Sequence, residues 1–192
     1  MKVFLLYFIV FVNFGLATEI VEIERYFKSL KTFEANFIQD DVAGGLLSEG
    51  VIYLSRPGKL RVDYKVPFEA QIFTIDNVTI YYDKELDEIS NIPTSTTPLY
   101  FLLKGKIDFN DLIVKKIKEN DDEITLSMQD KKNKEQGILY LTFSKSVIEL
   151  KSIRTKNELG QEVQMELLNI TSNKGIKESV FEFINPRLKN KI

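Results

Sequence analysis

Residues 51–64 read VIYLSRPGKLRVDY, two strand-like runs around a proline–glycine pair. Val51, Ile52, Tyr53 and Leu54 form a short continuous run of β-prone side chains. Pro57 fixes its own φ and Gly58 permits a conformation closed to other residues, so the pair is a turn. Beyond it Leu60, Val62, Tyr64 and Val66 point one way, while Lys59, Arg61, Asp63 and Lys65 point the other. That alternation predicts a half-buried antiparallel sheet. Arg56 stands where the first strand runs out. From there a long planar cation reaches across a sheet mouth to carbonyl groups or carboxylates; the plain alternative is a solvated arginine.

Working outward toward the N-terminus, Phe33, Ala35 and Phe37 alternate with Glu34 and Asn36, a strand that ends near Gln39 before a Gly44-Gly45 loop. Ahead of it Ile20, Ile23, Phe27 and Leu30 recur at helical spacing, with Thr18 placed to cap and Glu19 and Glu22 near the positive end. On the other side, residues 70–75 and 78–82 are rich in β-branched and aromatic side chains around an Asp76-Asn77 turn. Apolar residues fall on both faces there, which predicts a sheet covered twice. A short strand is expected at 86–89, followed by a loop from Ile92 to Pro98. The loop delivers Leu99, Tyr100, Phe101, Leu102 and Leu103, a short apolar helix with Pro98 at its start and Gly105 at its end. It is either a buried core helix or a lid over an apolar site. Strand signals fill the rest, at 112–117, 124–128, 138–143, 147–153, 163–170 and 180–183. The expected fold is mainly β with α: about ten or eleven antiparallel strands in one curved sheet approaching a barrel, with helices at the N-terminus and in the middle.

The first residues belong to a different class. Met1-Lys2, an apolar run from Val3 to Val12 and the small residues Gly15 and Ala17 make residues 1–17 a secretory signal peptide, leaving residues 18–192 as one domain. Export gives weight to the absence of cysteine. The domain has no disulfides, and no cysteine stands at the cleavage point to carry a lipid anchor. With no histidine either, serine–histidine and cysteine–histidine catalysis and the common zinc ligand sets are excluded. A net charge of −2 without a concentrated basic face argues against nucleic acid.

The acidic clusters Asp40-Asp41 and Asp121-Asp122-Glu123 lie in expected turns, where solvated charge is ordinary. Gly105-Lys106 lacks the upstream glycine of a phosphate loop, and nothing activates a nucleophile. No enzyme activity, metal or cofactor is expected. What the chain has in quantity is aromatic surface, 14 Phe and 8 Tyr, which either fills a core or exceeds what the sheet needs and lines a site for an apolar ligand.

The order Phe33-x-Ala35-x-Phe37-x-Gln39, Gly50, Arg56-Pro57, Arg61-x-x-Tyr64-x-x-Pro67, Asp76 and Tyr81 resembles the LolA family of periplasmic carriers of outer-membrane lipoproteins. Pro98, Gly160-Gln161, Asn169 and Phe181-x-Phe183-x-x-Pro186 continue the resemblance to the end. The chain departs from the family pattern at Val62, often tryptophan there, and at Arg187, where a glycine usually follows the proline. The resemblance implies an unclosed β-barrel under a helical lid, with an apolar cavity for acyl chains. Arg56 would be the lid latch, bonding backbone carbonyls, and Leu99, Tyr100, Phe101, Leu102 and Leu103 the lid helix. Phe37, Tyr53, Leu60, Val62, Tyr64, Ile72, Ile80 and Tyr82 are the candidate cavity positions. Implied partners are acylated lipoproteins as cargo, an inner-membrane ABC-type releasing complex and an outer-membrane receptor, with the carrier a periplasmic monomer. A lipid-sensing regulatory module of the same fold and a hydrolase using acidic residues alone are the alternatives.

Overall fold

A computed structural model describes residues 15–41, 47–75, 77–97, 99–157 and 159–189. Most of the expected signal peptide, the Gly44-Gly45 loop, Asp76 and Pro98 lie outside them. The described elements are α1 (Gly15–Ser29), β1 (Thr32–Asp41), β2 (Leu47–Ser55), β3 (Lys59–Val66), β4 (Ala70–Ile75), β5 (Val78–Asp83) and β6 (Glu88–Pro93). They continue with α2 (Tyr100–Leu103), β7 (Leu112–Glu119), β8 (Glu123–Asp130), β9 (Ile138–Ser144), β10 (Glu149–Lys156), β11 (Glu162–Ser172) and α3 (Pro186–Lys189).

The strands form one antiparallel sheet of eleven, in the order β6-β5-β4-β3-β2-β1-β11-β10-β9-β8-β7. Every pairing but one is between sequence neighbours: β1 with β11 joins the two arms, and the passage from β6 to β7 crosses from one free edge to the other. The sheet does not close, because β6 and β7 are not paired. Register shifts interrupt the ladders at Glu34/Asn36, Glu49/Gly50, Lys116/Lys118 and Leu150/Ser152, and such bulges bend and twist a sheet. Both edges carry residues that resist further pairing: Lys115, Lys116 and Lys118 on β7, and Pro93 at the end of β6.

Alternation decides what faces inward. Directly opposed residues share a face, so the pairings Phe33↔Leu54↔Leu60 and Ala35↔Ile52↔Val62 carry one apolar surface across β1, β2 and β3. Leu126, Leu141 and Ile153 continue it on β8, β9 and β10. Against this concave surface α1 lays Ile23 and Phe27, with Leu30 just past its end, spaced four and three residues apart, and α2 adds Phe101, Leu102 and Leu103; all belong to one buried cluster. Phe27 is its hub, with ring centroids 5.6 Å from Phe101 and 5.7 Å from Phe143. Among the described residues, no helix is long and apolar enough to cross a membrane.

Four sequence expectations are corrected. α1 already includes Gly15, so Thr18 stands inside the helix and not at its cap. Asp83 accepts hydrogen bonds from the amides of Glu85 and Leu86, both at 3.0 Å. This turn uses up Leu86, and β6 starts at Glu88 and runs on past Ile89 to Pro93, into the start of the expected loop. Val147 likewise lies in the turn before β10. Residues 180–183 do not pair as a strand: a 3-10 turn at Glu178–Phe181 leads into an extended tail on the convex side of the sheet. There Phe183 packs 5.3 Å from Phe73, and the Val180 carbonyl accepts from Arg61 at 2.9 Å.

The N-terminal half of α1 is fastened by Lys145, whose Nζ lies 3.2 Å from Glu19 and 2.8 Å from Glu119. Hydrogen bonds from Lys116 and then Lys145 hold the Glu119 carboxyl down to about 2, from an ordinary 4.5. The same contacts with Glu119 and Glu19 raise Lys145. A depressed carboxylate contributes its stability above its unfolded value and loses it as pH falls through the folded one. Amide protection where β7 ends beside β8, near Glu119, is therefore expected to fall between pH 4.5 and 2, while protection near Phe27 holds. Hydrogen exchange across that range checks it, and equal losses at both places would contradict it.

Candidate functional site: a guanidinium joining two helix ends

Arg56, Pro57 and Gly58 form the turn between β2 and β3, with Gly58 at φ +77°. The Arg56 amide donates to Lys31 O at 2.8 Å, which sets the direction of the side chain. Its guanidinium then reaches two helix ends at once. Nη1 donates to Phe27 O at 2.6 Å and Leu30 O at 3.1 Å, carbonyls at and just past the last turn of α1. Nε donates to Lys104 O at 2.9 Å, immediately after α2. Helix C-termini leave their last carbonyls unpaired and partly negative, so a cation there answers both needs. Burial pulls the Arg56 pKa below its ordinary value.

The same turn makes a second contact with α2, the Gly58 amide donating to Leu103 O at 2.9 Å. Gly105 passes so near that a Cβ there would lie 3.2 Å from Cβ of Pro57. The glycine read as a helix terminator thus serves a close approach. Lys104 completes the fastening, 3.1 Å from Asp130 and 5.4 Å from the centre of the Tyr100 ring.

Beneath lies an interior lined only by apolar side chains, among them Phe33, Ile52, Leu54 and Leu60 from the sheet and Leu99, Leu102 and Leu103 from the α2 segment. The space left for the centre of a water molecule is about 20 Å³, room for about one water and no more. In this arrangement α1 and α2 fill the concavity themselves, and a chain-like ligand enters only if α2 leaves.

The candidate cavity residues divide by face. Phe37, Leu60 and Val62 are buried on the concave side, and Tyr64 and Ile72 pack against the same cluster. Tyr64 donates to Gln39 Oε1 at 2.8 Å, and burial raises its pKa to about 12. Tyr53, Ile80 and Tyr82 stand on the convex side. Tyr53 is directly opposite Arg61 and Ile80 directly opposite Phe73, while the Tyr82 ring lies 6.1 Å from Phe183 of the tail. The strict pairing Val62↔Ile72↔Tyr81 puts Tyr81, 41 % exposed, on the concave face instead. Tyr81 was legible as part of a pattern but not as a surface residue of that concavity. The register from Val62 outward is the signal that finds it.

The sequence pattern of the family described as "Outer membrane lipoprotein carrier protein LolA" matches residues 28–184, from the end of α1 through the tail. The chain belongs to the LolA family. Among its LolA relatives, an outer-membrane lipoprotein carrier protein of Helicobacter hepaticus is 27 % identical over 163 residues, covering 83 % of this chain and 82 % of that one. One of Chromohalobacter salexigens is 29 % identical over 170 residues, covering 83 % and 79 %. An uncharacterised protein of Rickettsia prowazekii is 21 % identical over 168 residues, covering 87 % and 77 %. Two solved structures share the fold at low identity. A DUF1329-family protein from Desulfovibrio piger has a TM-score of 0.55 at 10 % identity, covering 87 % of this chain and 96 % of that one. MucB has a TM-score of 0.52 at 11 %, covering 89 % and 64 %. The LolA architecture is thus common to proteins with other names, and the role of this member has to be argued from its own residues.

Proposed function

We propose that the chain is a periplasmic carrier that takes acylated lipoproteins from the inner to the outer membrane, sheltering their acyl chains where α2 now lies. The observation that carries this reading is the fastening of two helix ends by Arg56 over an interior with only apolar lining. Such a lid opens without breaking the sheet, and the surface it uncovers suits hydrocarbon and no charged ligand. Arg56 is the latch and residues 99–103 the lid, with Phe37, Leu60, Val62, Tyr64 and Ile72 on the face that would meet the chains. The protein acts by binding, as a monomer and without a cofactor, after removal of residues 1–17.

Energetics define the partners. Three acyl chains hold on the order of 40 methylenes, and at ~0.8 kcal/mol each a bilayer retains them by roughly 30 kcal/mol. The tightest non-covalent complexes reach only about 18 to 21 kcal/mol. A soluble carrier therefore needs an energy-driven ABC-type releasing complex to load it and a receptor at the outer membrane to unload it.

The test is a release assay in which purified residues 18–192 are added to energised spheroplasts and newly made lipoproteins are sought in the soluble fraction. Soluble complexes that require ATP and an acylated cargo are expected. No release, with other lipids copurifying, would replace the carrier by a lipid-binding regulatory module.

A further inference from the structure

Among the described residues five polar side chains are buried: Thr74, Thr79, Thr94, Ser127 and Gln136. Four of them converge on the start of the segment that leads into α2. The Thr94 hydroxyl, on a residue 1 % exposed, lies 3.0 Å from that of Thr79, which lies 3.4 Å from that of Thr74. The Thr94 amide donates to Asn77 O at 2.9 Å. Gln136, in the connection between β8 and β9, donates its Nε2 to the next carbonyl, Ser95 O, at 2.6 Å. Thr79 sits on β5 beside one free edge of the sheet, and Gln136 follows β8 beside the other. Thr94 and Ser95 are thus bonded to both arms of a sheet whose edges do not pair.

The two ends of the lid segment are held by different chemistry. At the root the bonds are neutral, those among the threonine hydroxyls buried and that of Gln136 to Ser95 O part-buried, and leaving the buried ones unmade is costly. At the far end Leu103 and Lys104 are held by the Gly58 amide, the Arg56 guanidinium and the Lys104–Asp130 pair. The last two are charged and part-buried: parting them costs the bonds but leaves no group dry, since water reaches both partners once the segment lifts. Between the ends Thr97, extended at φ −103° and ψ 143°, breaks the 3-10 turn Thr94–Thr96 from α2.

We infer that the lid is hinged: Thr94 and Gln136 are positioning residues that rivet its root to both arms, and it swings at Thr97, releasing Leu103 and Lys104 first. The inference rests on reading residues 99–103 as a lid, and it assigns the direction of opening.

Hydrogen exchange on the empty protein tests it, because one amide reports each end: Thr94, bonded to Asn77 O, the root, and Gly58, bonded to Leu103 O, the free end. After correction for intrinsic rates, Gly58 is expected to exchange at least about tenfold faster than Thr94. Thr94→Val and Gln136→Leu are each expected to raise exchange at the root about tenfold while the Leu141 amide of β9 stays unchanged. Thr94→Ser, which keeps the hydroxyl, is expected to restore it. Equal exchange at Thr94 and Gly58, both faster than Leu141, means that the segment lifts as one piece, and the hinge is overturned while the lid stands. Exchange of Gly58 no faster than Leu141 means that the segment opens only on global unfolding, and lid and hinge fall together.

Discussion

Arg56→Leu is expected to leave the sheet folded and to disable the lid. The substitution strips the donors from Phe27 O, Leu30 O and Lys104 O at once, and hydrogen bonds to a charged group contribute about 1.5 to 3 kcal/mol each. Against that loss stands the relief of no longer burying a guanidinium, so the net penalty on the closed arrangement is about 2 to 4 kcal/mol. Every 1.4 kcal/mol is tenfold, and the open population therefore rises about thirtyfold or more. The three carbonyls find water when the helix ends separate, which is why the cost falls on closure and not on folding. Exchange at the Leu102 and Lys104 amides should accelerate accordingly, and delivery of cargo to an acceptor membrane should slow at least about tenfold. Arg56→Lys should fall between, since one ammonium on a flexible stem lacks the planar fork that spans three acceptors. Delivery at the parent rate would remove the latch assignment.

The second large effect concerns folding, at Gly50. A Cβ built there lies 2.1 Å from the carbonyl oxygen of Asp63 and 2.6 Å from Cζ of Phe37. Phe37 is opposite Gly50 in the β1–β2 pairing, and its ring occupies the space that a side chain would take. It cannot withdraw, being 1 % exposed and set edge-on to Tyr64 at 5.2 Å. Overpacking in a core costs about 1 to 3 kcal/mol when side chains can yield. Here the nearer obstacle is backbone, so Gly50→Ala is expected to cost more than about 4 kcal/mol. At about 2 to 4 °C per kcal/mol for a chain of this size, the melting temperature should drop by about 10 °C or more. Adding Phe37→Leu should recover only part of the loss, because the carbonyl remains. Full recovery would show that the ring alone excludes the methyl group, and a single variant melting within about 2 °C of the parent would contradict the packing argument.

The strands around 51–64 were legible because a period of two has one geometric meaning, and their turn is marked by the two residue types that most restrict and most free the backbone. Where the reading failed, local side-chain chemistry overrode the hydrophobic pattern. Asp83 captured two amides and moved the start of β6 past Leu86. Phe181 and Phe183 have strand-like spacing, yet they pair with no strand, and Phe183 packs on the convex face against Phe73 and Tyr82, a use that spacing cannot distinguish from pairing. The placement of Tyr53, Ile80 and Tyr82 needed the register between strands, since each strand alone shows two alternating sets without saying which faces in. For Arg56 the residue was legible and its acceptors were not. Phe27, Leu30 and Lys104 offer only backbone carbonyls, which every residue possesses, and they lie 26 to 48 positions away in sequence.

The missing pairing between β6 and β7 bears on capacity. In a closed barrel, strand number and stagger fix the circumference, and with it the bore. This sheet obeys no such relation. Its arms are joined along one seam, β1 to β11, and among the described residues they are tied across the gap through the lid segment, by Thr94 and Gln136 at its root and by Gly58, Arg56 and Asp130 at its far end. Its radius is therefore set by its contents, and the arms can spread or draw in without a strand changing its neighbours. One sequence can then wrap contents of different girth, a tolerance that a container of fixed bore lacks.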